Sequence, residues 1–251
     1  MDSLASLLGR TMVLVAHPDD EAIGCGLLLQ QMSDPIVVFA TDGAPLSDYF
    51  WKVHGSRENY ASLRAREARN ALAAVGVFHL HLLSDEDPIM DQTLFLNLDR
   101  AYEALVSLIK KEMPEALLTL AYEGGHPDHD SCSFLMSVAA REFQLPVWEM
   151  PLYHLFGGKP ARQAFCEGIG IRIGATKEQL ERKRKMVDEY PSQGLTLAEF
   201  PPENEYVRPM LAYDFSRPPH EGQLNYENWQ WPMTGKQVCD AFQKFLDGRA
   251  K

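Results

Sequence analysis

The chain has 251 residues, with 24 basic against 35 acidic side chains and a formal net charge of −11. That length suits one large α/β domain, and the acidic balance excludes the basic footprint on which nucleic-acid binding relies. Four scattered cysteines, Cys25, Cys132, Cys166 and Cys239, form no Cys-x-x-Cys pair, which excludes a zinc knuckle or redox pair and leaves free thiols in a cytoplasmic chain as the simple reading.

Thr11 to Ala16 reads TMVLVA, a buried-strand run, and is followed by helical spacing from Glu21 to Gln31. A second apolar run, Ile36 to Thr41, closes at Asp42-Gly43. Residues 57 to 75 are rich in Ala, Leu, Arg and Glu and predict a helix ended by Gly76, with a third strand over Val77 to Leu83. An amphipathic helix is predicted over Gln92 to Glu112, a fourth strand over Ala116 to Leu120, a helix over Asp130 to Phe143 and a fifth strand over Pro146 to Met150. This alternation predicts a Rossmann-like, mostly parallel sheet with helices on both faces. Beyond Pro151 the rhythm changes. A strand or hairpin is expected within 164 to 173 and helices over Lys177 to Glu189 and Gly235 to Leu246. Between them, 200 to 231 is rich in Pro and aromatics and predicts an ordered, irregular extension that walls a site. The expected organisation is one domain over 1–251, with an α/β core to 150 and a C-terminal portion shaping the substrate site. No signal peptide is expected, and no apolar run approaches the ~20 residues that span a bilayer.

The first strand ends in His17-Pro18-Asp19-Asp20-Glu21, and the fourth is followed by Glu123-Gly124-Gly125-His126-Pro127-Asp128-His129-Asp130. Charged groups at the carboxyl end of a buried strand need partners or a task. Imidazole and carboxylate are zinc ligands, and a catalytic zinc takes about three protein ligands plus water. His17 and Asp20, three apart across a turn, can converge on one ion, and His126 and His129 are spaced to join them. If strands one and four are neighbours, both loops meet at the topological switch point. The competing reading is a pair of acidic helix caps, which explains one such loop better than two. His54, His79, His81, His154 and His220, each alone in sequence context, read as surface or core residues.

Ala-His-Pro-Asp-Asp-Glu near the N-terminus and Gly-Gly-His-Pro-Asp-His about a hundred residues later resemble the PIG-L/LmbE-like deacetylase family. Thr41-Asp42-Gly43, the Arg64-x-x-Glu67-Ala68 helix and Lys183 followed by Ser192-Gln193 extend the resemblance over about residues 1 to 195. It implies a zinc-dependent hydrolase, one Zn2+ per chain, that removes an acetyl group from the amide nitrogen of an N-acetylated amino sugar. It further implies His17, Asp20 and His129 as metal ligands, Asp19 as general base, His126 as the imidazole serving the reacting oxygen and leaving amine, and Asp128 as the acid orienting His126. Arg64, Asp85 and Asp42 are the implied substrate contacts. The family often has His two residues before Ser-Gln, where this chain has Tyr190. Three alternatives stand beside this reading: an amidase on another acyl-amine conjugate, a metal-dependent phosphoesterase, which would use more carboxylates or a second metal, and a non-catalytic sugar-binding homologue. The expected partner is a small N-acetyl amino sugar or glycoconjugate, with no nucleic acid, no membrane span and a homo-oligomer left open. Trp51, Tyr49, Phe50, Tyr226, Trp229 and Trp231 fit either sugar stacking or packing.

Overall fold

The computed structural model describes residues 4–84 and 87–249. Its parallel half comprises strands β1 (Arg10–Val15), β2 (Asp34–Phe39), β3 (Leu80–Leu82), β4 (Ala116–Leu120) and β5 (Val147–Met150), linked by helices α1 (Asp20–Leu29), α2 (Arg57–Ala74), α3 (Leu98–Glu112) and α4 (Pro127–Phe143). The C-terminal part adds β6 (Tyr153–Phe156), β7 (Lys159–Arg162), β8 (Ile171–Arg172), α5 (Lys177–Asp188), α6 (Gly194–Leu197), β9 (Tyr206–Pro209), α7 (Asn225–Asn228) and α8 (Gly235–Arg249).

The sheet runs β3-β2-β1-β4-β5-β9-β8. β1 pairs in parallel with both β2 and β4, Leu14 lying beside Val38 on one side and Thr119 on the other. The chain order therefore reverses between β1 and β4, and the loops that follow these strands meet there, as expected at such a switch point. β1 and β4 are buried over nearly their whole length, which is why both read as unbroken apolar runs rather than alternating ones. Among the described residues no helix is long and apolar enough to cross a membrane.

Two expectations need correction. The extension is less irregular than its composition suggests: β9 and β8 continue the main sheet in antiparallel pairing through Glu149–Arg208 and Ile171–Val207. The segment 164–173 holds a strand, β8, as one of its two expected forms, while an unexpected hairpin lies ahead of it at β6–β7 and turns on Gly157 and Gly158, both at positive φ. The Gly157-Gly158 pair is a sequence signal for that turn. Finally, the helix expected from Gln92 starts at Leu98. Gln92 has φ 71, and the Gln92 and Leu94 backbone N–H groups donate to the Asp128 carboxylate at 2.7 and 2.9 Å rather than entering a helix. That detour shapes the site.

Candidate metal and catalytic site

The β1–α1 loop turns back on itself. The Asp20 Oδ2 accepts from the Ala16 and His17 backbone N–H groups at 3.1 and 2.8 Å. Asp19, between them, has φ 134, a conformation costing about 1–3 kcal/mol for a residue with a side chain. Two contacts hold it there. Its N–H donates to the Glu21 carboxylate at 3.1 Å, and its own carboxylate lies 3.2 Å from the Arg64 guanidinium, which also donates to the Pro18 carbonyl. The side chain is thereby presented to the cavity instead of capping α1. Gly43 sits against this turn at φ 63, where a Cβ would come within 2.7 Å of the Pro18 ring.

The β4–α4 loop is regular. His126 is the N-cap of α4, and its Nδ1 accepts from the Asp128 backbone N–H at 3.1 Å. Pro127 at the first helical position fits its fixed φ. Gly125 allows close passage, since a Cβ there would lie 1.8 Å from the Tyr153 carbonyl oxygen.

The two loops bring His17, Asp20, His126, Asp128 and His129 together. The Asp20 carboxylate lies 3.5 Å from His17 Nδ1 and 3.3 Å from His129 Nε2. All three of these side chains are buried, yet neither ring nitrogen of His129 has a hydrogen-bond partner. A buried imidazole whose ring nitrogens make no hydrogen bond, set beside a buried carboxylate and a second imidazole, belongs to a group of donors that could hold a cation. Burial pulls the His17 pKa down, but the Asp91, Asp20 and Asp128 carboxylates outweigh it and raise it well above the ordinary value. Burial likewise pushes Asp20 up, and the His129 and His17 imidazoles hold it well below the carboxylate range. For Asp19, burial outweighs the Arg64 guanidinium and lifts the carboxyl to about 6.

Sequence reasoning missed Asp91. Its Oδ1 lies 3.2 Å from His17 Nε2 and 3.3 Å from His126 Nε2, bridging the two imidazoles. Asp91 stands in the detour before α3 that periodicity read into the helix start, so it showed no motif. The family resemblance implies that Asp128 orients His126, but the Asp128 carboxylate is 3.9 Å from Nδ1. It serves the 92–94 backbone and sits 3.3 Å from His17 Nε2. The carboxylate nearest His126 Nε2 is that of Asp91, at 3.3 Å. Burial and the nearby His17 lower the His126 pKa, against the pull of Asp91.

Of the expected substrate contacts, Arg64 lines the cavity. Asp42 does not line it: its carboxylate accepts from the Ala44 and Asp91 N–H groups and pairs with Arg57, anchoring the loop that carries Asp91. Asp85 lies outside the described residues. Tyr190 is fully buried and donates to the Glu21 carboxylate, so it props the Asp19 turn from behind rather than facing a ligand. Ser192 and Gln193 are tied to α2, Ser192 through Glu67 and Gln193 through the Tyr60 hydroxyl, and Gln193 reaches the cavity wall. The cavity is about 570 Å³. Trp231 stands edge-on to His126 at 4.8 Å between centroids, and Tyr153 to His129 at 5.1 Å. Trp229, Trp231 and Phe50 face this space, while Tyr226 packs in the core and Tyr49 projects outward. His79, His81 and Glu112 gather at the opposite ends of the strands, where the Arg10 guanidinium and the Lys111 ammonium already pair with Glu112.

The model of the PIG-L family, described as GlcNAc-PI de-N-acetylase, matches residues 12–140. The chain is 27% identical over 160 residues to the probable N-acetyl-alpha-D-glucosaminyl L-malate deacetylase 2 of Bacillus cereus, an alignment covering 62% of this chain and 70% of that one. A deacetylase of the teicoplanin biosynthetic pathway superposes with a TM-score of 0.61 at 22% identity, over 75% of this chain and 84% of that chain. The 4-carboxy-2-hydroxymuconate hydratase GalB of Pseudomonas putida superposes at 0.53 with 15% identity, over 76% of this chain and 82% of that chain. One fold thus carries different chemistries, and the reaction must be argued from the site.

Proposed function

The chain belongs to the PIG-L family of de-N-acetylases, and from that premise we propose that it is a zinc-dependent hydrolase cleaving the acetyl amide of an N-acetylated amino sugar. The observation that carries this is the convergence of His17, Asp20 and His129 from two loops, with the strained Asp19 carboxylate and the His126 imidazole facing the same cavity. Two imidazoles and one carboxylate suit Zn2+ and leave a coordination position free. Bound there, the cation supplies Lewis-acid polarisation of the amide carbonyl and acidifies water.

The protein's own groups do the rest. Asp19, aimed by its backbone strain and held by Arg64, takes the proton of the attacking water as the oxygen–carbon bond forms. His126, with Nε2 beside Asp91, serves the reacting oxygen, and the proton taken up by Asp19 passes to the nitrogen as the carbon–nitrogen bond breaks, giving acetate and a free amine. Asp128 holds the 92–94 backbone and so keeps Asp91 in register with both imidazoles. A count of two metal ions per chain would favour the phosphoesterase rival instead. Acetate and amine release from N-acetylglucosaminides by zinc-loaded protein tests the reading. Stoichiometric release supports it, and a fully zinc-loaded protein that releases neither refutes it.

A further inference from the structure

Resting on the deacetylase reading, we propose that the group attached to the amino sugar is uncharged and apolar: an aryl or alkyl aglycone seated against the mouth of the cavity. Three separate chain segments bring apolar side chains to that mouth. Phe50, between β2 and α2, is 45% exposed; Leu195, in α6, is 94% exposed; Trp229, just after α7, is 47% exposed. All three line the same cavity. A single exposed apolar side chain is ordinary, but three from distant segments around one opening mark a surface that a ligand covers. Deeper in, Trp231 continues the apolar wall to His126. Polar donors thus gather at the base and apolar surface at the entrance. The volume, about 570 Å³, falls in the ~300–1,000 Å³ range of sites for drug-sized ligands, leaving room for a sugar and its substituent.

Charge points the same way. Among the described residues lining the cavity, Arg64 alone carries a permanent positive charge, and the Asp19 carboxylate and the Pro18 carbonyl engage it. The rim contributes a further carboxylate, Glu199, already paired with Arg162. A dicarboxylate such as the malate in the name of the Bacillus relative's substrate would find no uncommitted guanidinium among the described lining residues to fork onto.

The test gives zinc-loaded enzyme four substrates: phenyl and octyl N-acetylglucosaminides, free N-acetylglucosamine and N-acetylglucosaminyl malate. Amine release is read alongside tryptophan fluorescence titrations with each compound. The aryl and alkyl conjugates should exceed the free sugar in kcat/KM by about tenfold or more, with the malate conjugate at or below it. Trp229→Ala should cut the phenyl-to-free-sugar ratio about tenfold, and Leu195→Ser should reduce the octyl-to-free-sugar ratio. A malate conjugate that matches or exceeds the octyl one overturns the assignment. If no compound releases amine, the deacetylase reading fails on its own. The titrations then still decide the aglycone, tighter binding of the apolar conjugates supporting the inference and tighter binding of malate overturning it.

Discussion

The two site loops contain the same letters, His-Pro-Asp, and use them differently. In the first, the helix begins after the third letter: Asp19 is the N-cap, with φ 134 and no side-chain cap bond. In the second it begins after the first letter: His126 is the N-cap, in extended backbone and capped through its own ring. That shift of two positions makes His17 a ligand candidate ahead of the helix and frees the Asp19 carboxylate. In the other loop it turns the Asp128 carboxylate away from the cavity, toward the 92–94 backbone. Equal motifs do not imply equal roles; the position of the motif relative to the helix start decides them.

His17→Ala and His129→Ala, one from each loop, should each abolish metal retention and lower activity about a thousandfold or more. Metal content by atomic spectroscopy and amine release read this, and a variant that keeps both argues against a shared ion. Asp19→Asn should retain metal yet lose about 10²–10⁴ in kcat, because only the proton acceptor is gone. Asp91→Asn should cost about 10–100-fold in kcat, since it removes the acid that fixes two imidazoles. A loss as small as that of a surface substitution would restore Asp128 as the orienting group.

A smaller effect lies outside the loops, where β5 meets the antiparallel extension. Burial, opposed by Arg208, lifts the Glu149 carboxyl to about 7 from an ordinary 4.5. Its folded-state pKa lies above the unfolded one, so the folded form binds the proton more tightly. The stability this contributes is full below about pH 4.5 and is lost as pH rises to about 7, on the order of 3 kcal/mol. Glu149→Gln should flatten that part of the pH dependence. Urea midpoints at pH 5 and pH 8 for both proteins check it, and equal slopes would contradict it.

The parallel strands were legible because β1 and β4 are buried runs and the crossovers are helical, whereas the adjacency of β1 and β4 entered only as a condition. The site was legible where chemistry and sequence coincide, in two compact loops, whereas Asp91 was hidden because its role depends on carboxylate-to-backbone bonds from a residue 37 positions on. Tyr190, which takes the place of a frequent histidine, looked like a change in ligand contact. It is a buried prop beneath Glu21 and Asp19. The β9–β8 pairing was invisible because short antiparallel edge strands carry few residues and little periodicity.

Equilibrium dialysis of Zn2+ against the wild-type chain and the single variants Asp20→Ala and His129→Ala tests the central claim most directly. Each variant should bind one ion fewer per chain than wild type, although the two residues come from loops more than a hundred positions apart. An unchanged stoichiometry and affinity in either variant would contradict it.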